Sequence, residues 1–170
     1  MSPIKEVLET MPEIRTKYAC GELSRVIPLR LLPGTDLMNG LKKVCEENGV
    51  RHGTILSAIG TLRKLTIQIF VPKPEAKLGA GYDPPQTIPG PVEIMGIQGV
   101  IFETEAGETA LHLHGIFCDK EGKTLGGHIV PDGNPILATL DAVIGEVSSV
   151  RMMRRYDEET DLNLFSPEPA

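Results

Sequence analysis

The sequence predicts an α+β domain in which one principal helix covers a curled, mainly antiparallel β-sheet of about six to eight strands. One segment, near residue 40, carries a strong helical repeat, whereas most of the chain after residue 50 consists of β-branched apolar runs separated by turns. Short connections between consecutive strands favour antiparallel pairing, and one helix against such a sheet is typical of α+β folds. A length of 170 residues with 41% hydrophobic content is enough to bury the core of a single domain.

The first 22 residues are predicted to form a helical extension in front of the main domain, which covers residues 23–165. Ser2–Met11 has apolar residues on one helical stripe, a proline at the first helical position, and Pro12 after its last turn. The final residues, 166–170, read SPEPA and are predicted to be a frayed tail.

The principal helix is predicted directly after a short strand. Val26–Leu32 is apolar and β-branched and runs into a Pro-Gly turn, which indicates a strand. Thr35 or Asp36 then caps a segment whose apolar residues recur at helical spacing up to Cys45. Asn48-Gly49 supplies the left-handed stop that ends a helix.

The rest of the chain is predicted to be strands and one long loop. HGTILSAIG and TLRKLTIQIFV are separated by a glycine and indicate two consecutive strands. Residues 72–91 are rich in proline and glycine and are predicted to be a loop, either a solvated insertion or a lid that uses Tyr82 and Asp83. Further extended segments are predicted over Val92–Thr104, Thr109–Cys118, Thr124–Val130, Ile136–Val147 and residues 151–165.

The charge and cysteine content exclude several classes of protein. Acidic residues outnumber basic ones by 23 to 17, so the net charge of −6 disfavours non-specific binding to nucleic acids. No apolar run reaches the roughly 20 residues that a membrane-spanning helix needs, and the opening segment is charged. Cys20, Cys45 and Cys118 form no CxxC pair, so neither a disulfide framework nor a cysteine zinc site is indicated, and a cytoplasmic location is expected.

Three of the four histidines lie within seventeen residues and are predicted to share one face of a hairpin. His112 and His114 alternate along a strand, so both side chains leave the same face roughly 7 Å apart. The following DKEGK segment is typical of a three-residue hairpin loop with Gly122 in the left-handed position, which places His128 opposite His114. A loop one residue longer or shorter, or a bulge at Gly126-Gly127, would instead turn His128 to the other face.

His112, His114 and His128 are therefore predicted to bind one divalent transition metal. Zinc is favoured, although nickel, iron or copper also accept imidazole ligands. Three nitrogen ligands leave a position for water or substrate, which is typical of catalytic zinc sites. His52 stands apart in the sequence and is expected to be a surface or strand-edge residue.

The sequence supports more than one function for this metal site. In a metalloenzyme acting on a small anionic substrate, the candidate acids or bases are Asp141 and Glu93, and the candidate carboxylate-binding residues are Arg30, Arg63 and Arg154. Neither a GxGxxG, P-loop nor GxSxG motif is present, and this favours a second hypothesis, an interaction or regulatory module in which the metal is structural. Direct binding to DNA is a third hypothesis, which the acidic charge disfavours.

Four segments make the chain resemble a known family, the PPC domain that is shared by plants and prokaryotes. They are RLLPGTDLMNGLKKVCEENGV, TILSAIGTLRKLTI, LHLHGIFCDKEGKTLGGHIV and RRYDEETDLNLF. The resemblance covers roughly residues 25–165 and implies a PPC-like fold, a homotrimer, and a metal unit formed by His112, His114 and His128. The chain departs from the family's plant members in lacking their AT-hook, and Asp161 stands where the family usually has glycine. DNA binding of the plant type is therefore not expected.

Overall fold

The structure is a computed structural model that describes residues 14–170, so the predicted helix over Ser2–Met11 lies outside the described residues. One helix and ten strands follow one another along the chain: β1 (Glu22–Leu31), α1 (Leu37–Glu47), β2 (Gly53–Gln68), β3 (Phe70–Pro72), β4 (Ala80–Tyr82), β5 (Gln86–Glu103), β6 (Thr109–Cys118), β7 (Thr124–Ile129), β8 (Ile136–Ser148), β9 (Val150–Asp157) and β10 (Leu162–Pro169). Among these residues no helix has the length and apolarity to cross a membrane.

Eight strands form one sheet in the order β1-β8-β2-β7-β6-β5-β9-β10, and β3 pairs with β4 in a separate hairpin. Strand β2 also pairs with β5, so that β2, β7, β6 and β5 close into a ring of four neighbours. Every pairing is antiparallel except a single parallel contact between Glu103 of β5 and Met153 of β9. The predicted curled, mainly antiparallel α+β fold is confirmed.

Helix α1 begins where the side chain of Asp36 accepts a hydrogen bond from the backbone N–H of Asn39, at 3.1 Å. Of the two predicted caps, Asp36 therefore is the N-cap. The helix ends at Glu47 with Asn48 as its C-cap, and Gly49 follows with φ of +66°, a conformation that favours glycine. Its buried residues, among them Leu37 and Leu41, belong to the main core.

The core fills the inside of the closed ring and the space beneath α1. Along β6 the side chains alternate, so that Leu111, Leu113 and Phe117 are buried in this core while His112 and His114 leave the opposite face. The remaining large buried side chains of the ring come from its other strands: Leu62, Leu65, Ile67, Ile94, Ile97, Ile101 and Ile129.

Residues 53–68 form one long strand, so the prediction of two strands divided by a glycine is wrong. Gly60 lies within β2 and pairs with Ile94 of β5 on one side and Leu140 of β8 on the other. A Cβ at Gly60 would lie 2.1 Å from the carbonyl oxygen of Thr139. The glycine therefore permits a close approach between strands and does not mark the end of one.

The predicted loop over residues 72–91 is wrong where it overlaps strands, whereas residues 73–79 and 83–85 lie outside strands as predicted. It contains β4, and β5 begins at Gln86, six residues before the predicted start at Val92. From Gln86 to Val92 this strand pairs with β2 alone, because its pairing with β6 begins at Glu93. Prolines are tolerated in a strand that is paired on one side only. That arrangement allows Pro89 and Pro91 in a segment whose composition indicates a loop.

The C-terminal segment is paired to its end, so the predicted frayed tail at residues 166–170 is wrong up to Pro169. Strand β10 runs antiparallel to β9 and its last pair joins Pro169 to Val150. Glu168 also holds this strand through a hydrogen-bonded ion pair with Arg155, whose Nε lies 2.8 Å from Oε1. The extension described before β1, from residue 14 to residue 21, is not helical.

The turn between β9 and β10 contains Asp161, the residue that departs from the family's glycine. Its φ is +61°, in the left-handed region that favours glycine. Aspartate tolerates this conformation better than most residues. Its carboxylate also accepts a hydrogen bond of 2.6 Å from the hydroxyl of Tyr156, which holds the aspartate in this turn.

Candidate metal centre

The β6–β7 hairpin has the three-residue loop that its sequence predicts. The N–H of Asp119 donates to the carbonyl oxygen of Lys123 at 3.0 Å, and Gly122 adopts φ of +81°. The Asp119 carboxylate accepts hydrogen bonds from the N–H groups of Glu121 and Lys123, both at 2.9 Å. Strands β6 and β7 then pair without a bulge from Cys118 and Thr124, next to the loop, to His114 and His128. This uninterrupted pairing fixes the register of the two strands.

This register brings the three predicted histidines together. His114 is paired directly with His128, and His112 follows two residues further along the same face of β6. One ring nitrogen from each of the three lies within 4.8 Å of the others, and the Nε2 atoms of His112 and His114 are 3.0 Å apart. The prediction that these side chains share one face is confirmed, and their arrangement can hold a metal ion.

The donor set suits a transition metal better than a set of ordinary hydrogen bonds. Nδ1 of His128 is buried, and it has no hydrogen-bond partner within residues 14–170. A buried polar atom without a partner is uncommon, because leaving one unsatisfied costs roughly 1–3 kcal/mol. A cation held by imidazole lone pairs would satisfy nitrogens that face one another in this way. The histidines present therefore fit a metal site.

The histidine cluster favours neutral rings. Burial lowers the pKa of His112, His114 and His128 below that of a free imidazole, most of all for His128, whose pKa falls to about 4. The positive charges of the other two histidines and of Arg154 lower the pKa of His128 further. At neutral pH the rings are therefore uncharged, the form in which an imidazole nitrogen offers its lone pair to a metal.

In the metal-free protein these lowered pKa values should make stability depend on pH. The unfolded chain, with histidine pKa near 6.5, binds more protons than the folded state below that pH, so unfolding becomes more favourable. Stability should therefore decline as the pH falls from about 6.5 towards about 4. Urea denaturation of EDTA-treated protein across this range should show it. The decline should be shallower in His128→Gln, because glutamine does not titrate, and equal pH profiles for the two proteins would contradict the expectation.

Tyr82 covers the histidines from the β3–β4 hairpin. Its ring lies against that of His128, with centroids 4.8 Å apart, and its hydroxyl is 3.5 Å from Nε2 of His114. Phe70, paired with Tyr82 across the hairpin, packs against the tyrosine in an edge-to-face arrangement, with ring centroids 5.2 Å apart. Burial raises the pKa of Tyr82, so its phenol remains protonated and can donate a hydrogen bond.

Asp83 fixes the position of the chain next to Tyr82. Its carboxylate accepts a hydrogen bond of 2.8 Å from the N–H of Ile69, and its own N–H donates to the carbonyl oxygen of Ile69. The side chain of Gln68 donates to the carbonyl oxygen of Asp83 at 2.7 Å. Of the two predicted lid residues, Tyr82 therefore contacts the histidines, and Asp83 fixes the start of the segment that leads into β5.

The other candidate residues are divided between the site and more distant places. Arg154 lines a cleft of about 320 Å³ together with His128. Arg30 donates to Thr139, which donates to Asp141, on the β1–β8 pair. Glu93 pairs with Thr61 and Cys118 on neighbouring strands, and the backbone of Arg63 bonds to Pro135.

The fourth histidine is separate from the cluster. His52 lies just before β2, and its Nδ1 accepts a hydrogen bond of 3.2 Å from the N–H of Met152. This is the strand-edge role that was expected of it. All three cysteines are free, and Cys45 is buried in the core, where burial raises its pKa to about 11.

Two residues beside the site have no signal in the sequence. Gln98 of β5 pairs with His114, and Gln68 of β2 pairs with His128, so the four side chains form a row across the ring. Both positions follow from the register of β2 and β5, which no local sequence motif specifies.

Comparison with known sequences identifies one family and two curated relatives. The sequence profile of the Plants and Prokaryotes Conserved (PCC) domain matches residues 18–148. The bifunctional protein GlmU of Synechococcus sp. strain JA-3-3Ab is 30% identical over 136 residues, and that of strain JA-2-3B'a(2-13) is 28% identical. The aligned part is 80% of this chain and 19% of each relative, so the chain spans about a fifth of the length of these proteins.

Solved structures share the fold over most of their length. A metal-containing protein from Archaeoglobus fulgidus has a TM-score of 0.73 and 25% identity, covering 89% of this chain and 99% of that one. A PPC protein from Pyrococcus horikoshii has a TM-score of 0.75 at 22% identity, covering 89% and 97%. A proposed DNA-binding protein from Bacteroides thetaiotaomicron has a TM-score of 0.71 at 24% identity, covering 89% and 98%. At their lower identities, the latter two show the fold alone.

Proposed function

The chain belongs to the Plants and Prokaryotes Conserved (PCC) domain family, the PPC family whose motifs it carries, and on this basis we propose that it binds a divalent transition metal, most favourably zinc. The ligands are His112, His114 and His128. The observation that carries the proposal is the convergence of three imidazole nitrogens within 4.8 Å, beside a buried Nδ1 without a partner among the described residues. The metal content of the similar protein from Archaeoglobus fulgidus supports the same assignment.

The surroundings of the histidines suit a site that receives a small molecule. A metal with three protein ligands keeps a coordination position in which it can polarise a carbonyl group or activate water. The ring of Tyr82 packs against His128, and its hydroxyl donor lies beside His114. Arg154 and Lys42 bring positive charge to the cleft that His128 lines. We therefore propose a metalloenzyme or binding protein for a small anionic substrate.

An interaction module with a structural metal is the second candidate. Met95 and Ile116 are 58% and 57% exposed, and they lie with His114 on the outer face of β5 and β6. Burying these apolar side chains would favour association, which supports the homotrimer that the family resemblance implies. The three free cysteines suit a cytoplasmic setting, and the net charge of −6 does not favour DNA as a partner.

The metal assignment is tested by elemental analysis of protein purified without an affinity tag. About one zinc ion per chain is expected for the wild type from a single three-histidine site. His114→Ala should lose nearly all of it, because the remaining two imidazoles bind zinc far more weakly. His52→Ala is the matched control, since it removes a histidine that lies outside the cluster, and it should retain the metal.

Three outcomes of this experiment are informative. Metal-free wild type that takes up no zinc on titration, or equal zinc in wild type and His114→Ala, would refute the site. Nickel, iron or copper in place of zinc would correct the identity of the metal and keep the ligands. If zinc removal lowers the melting temperature without changing the binding of any small anion, the structural role is favoured over the catalytic one.

A further inference from the structure

Arg154 is an arginine whose charge is not matched by a carboxylate within the described residues. Its neighbours on β9 differ in this respect, because Arg151 and Arg155 both form ion pairs with Glu168. The Nε of Arg154 donates to the backbone carbonyl oxygen of Asn163 at 3.2 Å. No salt bridge joins Arg154 to an acidic side chain in residues 14–170, although the chain has six more acidic than basic residues.

The guanidinium group of Arg154 is also held in position. Its central carbon lies 5.6 Å from the centre of the ring of Phe102, which is 1% exposed and belongs to a second buried cluster. An aromatic face and a backbone carbonyl together fix the plane of the guanidinium. The N–H groups of the two terminal nitrogens remain available to a ligand. Arginine N–H groups of this kind can donate two parallel hydrogen bonds to the two oxygens of a carboxylate.

Arg154 faces a cleft of about 320 Å³ between α1 and the strands β6 and β7. This volume is at the lower end of the roughly 300–1,000 Å³ of small-molecule sites, so a small ligand is indicated. The charged groups of the cleft are Lys42, Arg154 and Glu108, which leaves a net positive charge in an acidic protein. Apolar walls and further polar groups complete the lining: Met38, Leu111, Ile129, Pro131, Asn39 and Thr109.

The cleft is connected to the histidine cluster, because His128 lines its wall. A ligand in the cleft can therefore contact both the guanidinium group of Arg154 and the ring of His128, through which it adjoins the histidine cluster.

We propose that this cleft binds a small α-oxygenated carboxylate, with its carboxylate on Arg154 and its hydroxyl or keto oxygen towards the three histidines. The proposal rests on the proposed metal site and deepens it by naming the class of ligand and the residue that selects it. Since hydrogen bonds between a charged donor and a carboxylate are strong, the guanidinium selects the anion over a neutral analogue. The cleft volume of about 320 Å³ restricts the ligand to a small molecule.

The test uses full-length protein with its zinc content measured, and two matched probes, L-lactate and lactamide. L-lactate carries a negatively charged carboxylate at the position where lactamide carries a neutral amide. Ligand-observed NMR titration should detect L-lactate and show weaker or no binding of lactamide. Arg154→Gln should weaken L-lactate binding by about tenfold or more, the usual loss when a charged hydrogen-bonding partner is removed. Arg151→Gln, on the same strand but paired with Glu168, should bind lactate like the wild type.

The outcomes separate this proposal from the metal assignment. Zinc-loaded wild type that does not bind L-lactate, or Arg154→Gln that binds it as tightly as the wild type, would overturn the proposal while the metal site stands. Arg154-dependent binding of inorganic phosphate without binding of lactate would overturn the carboxylate class. Wild type that holds no zinc would overturn the proposed function, and lactate binding that still needs Arg154 would then support the anion site by itself.

Discussion

Replacing Asn134 with alanine is expected to lower the free energy of unfolding by about 3 kcal/mol or more. Asn134 lies in the turn between β7 and β8 and is fully buried against β2. Its side chain accepts a hydrogen bond from the N–H of Thr66 at 2.7 Å and donates to the carbonyl oxygens of Thr66 and Val130 at 3.1 and 2.8 Å. Alanine would leave three buried backbone groups without partners, each at a cost of roughly 1–3 kcal/mol.

Urea denaturation of the wild type and the variant measures this loss, with Asn163→Ala as the control because Asn163 is exposed on β10. The control should change stability by less than about 0.5 kcal/mol. Because Val130 lies two residues after His128, the Asn134 variant should also bind zinc less tightly. A loss below about 1 kcal/mol would mean that water replaces the amide, contrary to the burial of this residue.

Replacing Gly99 with alanine is expected to cost about 3 kcal/mol, at the upper end of the effect of overpacking. A Cβ at this position would lie 2.0 Å from the carbonyl oxygen of His112 and 2.9 Å from Cα of Leu113, so β5 and β6 would have to separate. Backbone atoms cannot move aside as a flexible side chain can. Since β6 carries two of the three histidines, zinc affinity should also fall by about tenfold.

Gly96→Ala is the matched control for this substitution. Gly96 lies on the same strand, yet apart from its neighbours in the chain no atom of residues 14–170 lies within 4 Å of the position that its Cβ would take. The control should fold with nearly wild-type stability and bind zinc normally. Equal stabilities of the Gly96 and Gly99 variants, measured by thermal and urea denaturation, would show that β5 and β6 yield more easily than their packing indicates.

The features of the site that could be predicted from sequence are those set by local chemistry. The DKEGK segment specifies its own turn, because Gly122 permits the left-handed conformation and Asp119 accepts two hydrogen bonds within the loop. Strand alternation then places His112 and His114 on one face, and the register adds His128. The helix α1 was predictable for the same reason, since its cap and its stop are local.

The features that could not be predicted depend on distant parts of the chain. Glycine commonly marks the end of a strand, but pairing of Gly60 with Ile94 of β5 and Leu140 of β8 continues β2 through this position. Residues 86–91 have the composition of a loop, yet pairing with β2 makes them a strand. Tyr82 and Arg154 were candidates among several. Tyr82 contacts His128 from the β3–β4 hairpin, and Arg154 of β9 lines the same cleft as His128, and both relations depend on how distant segments are placed in the fold.

The contact of Tyr82 with His128 gives the protein an optical label of its own. The chain has no tryptophan, so its ultraviolet emission comes from three tyrosines and is not masked by indole. Tyr18 and Tyr156 are 80% and 56% exposed, whereas the ring of Tyr82 lies 4.8 Å from an imidazole of the site. Binding of a metal ion to that imidazole would change the surroundings of one of the three tyrosines. The fraction of protein that holds metal could then be followed by tyrosine fluorescence in solution, without a dye or an introduced residue.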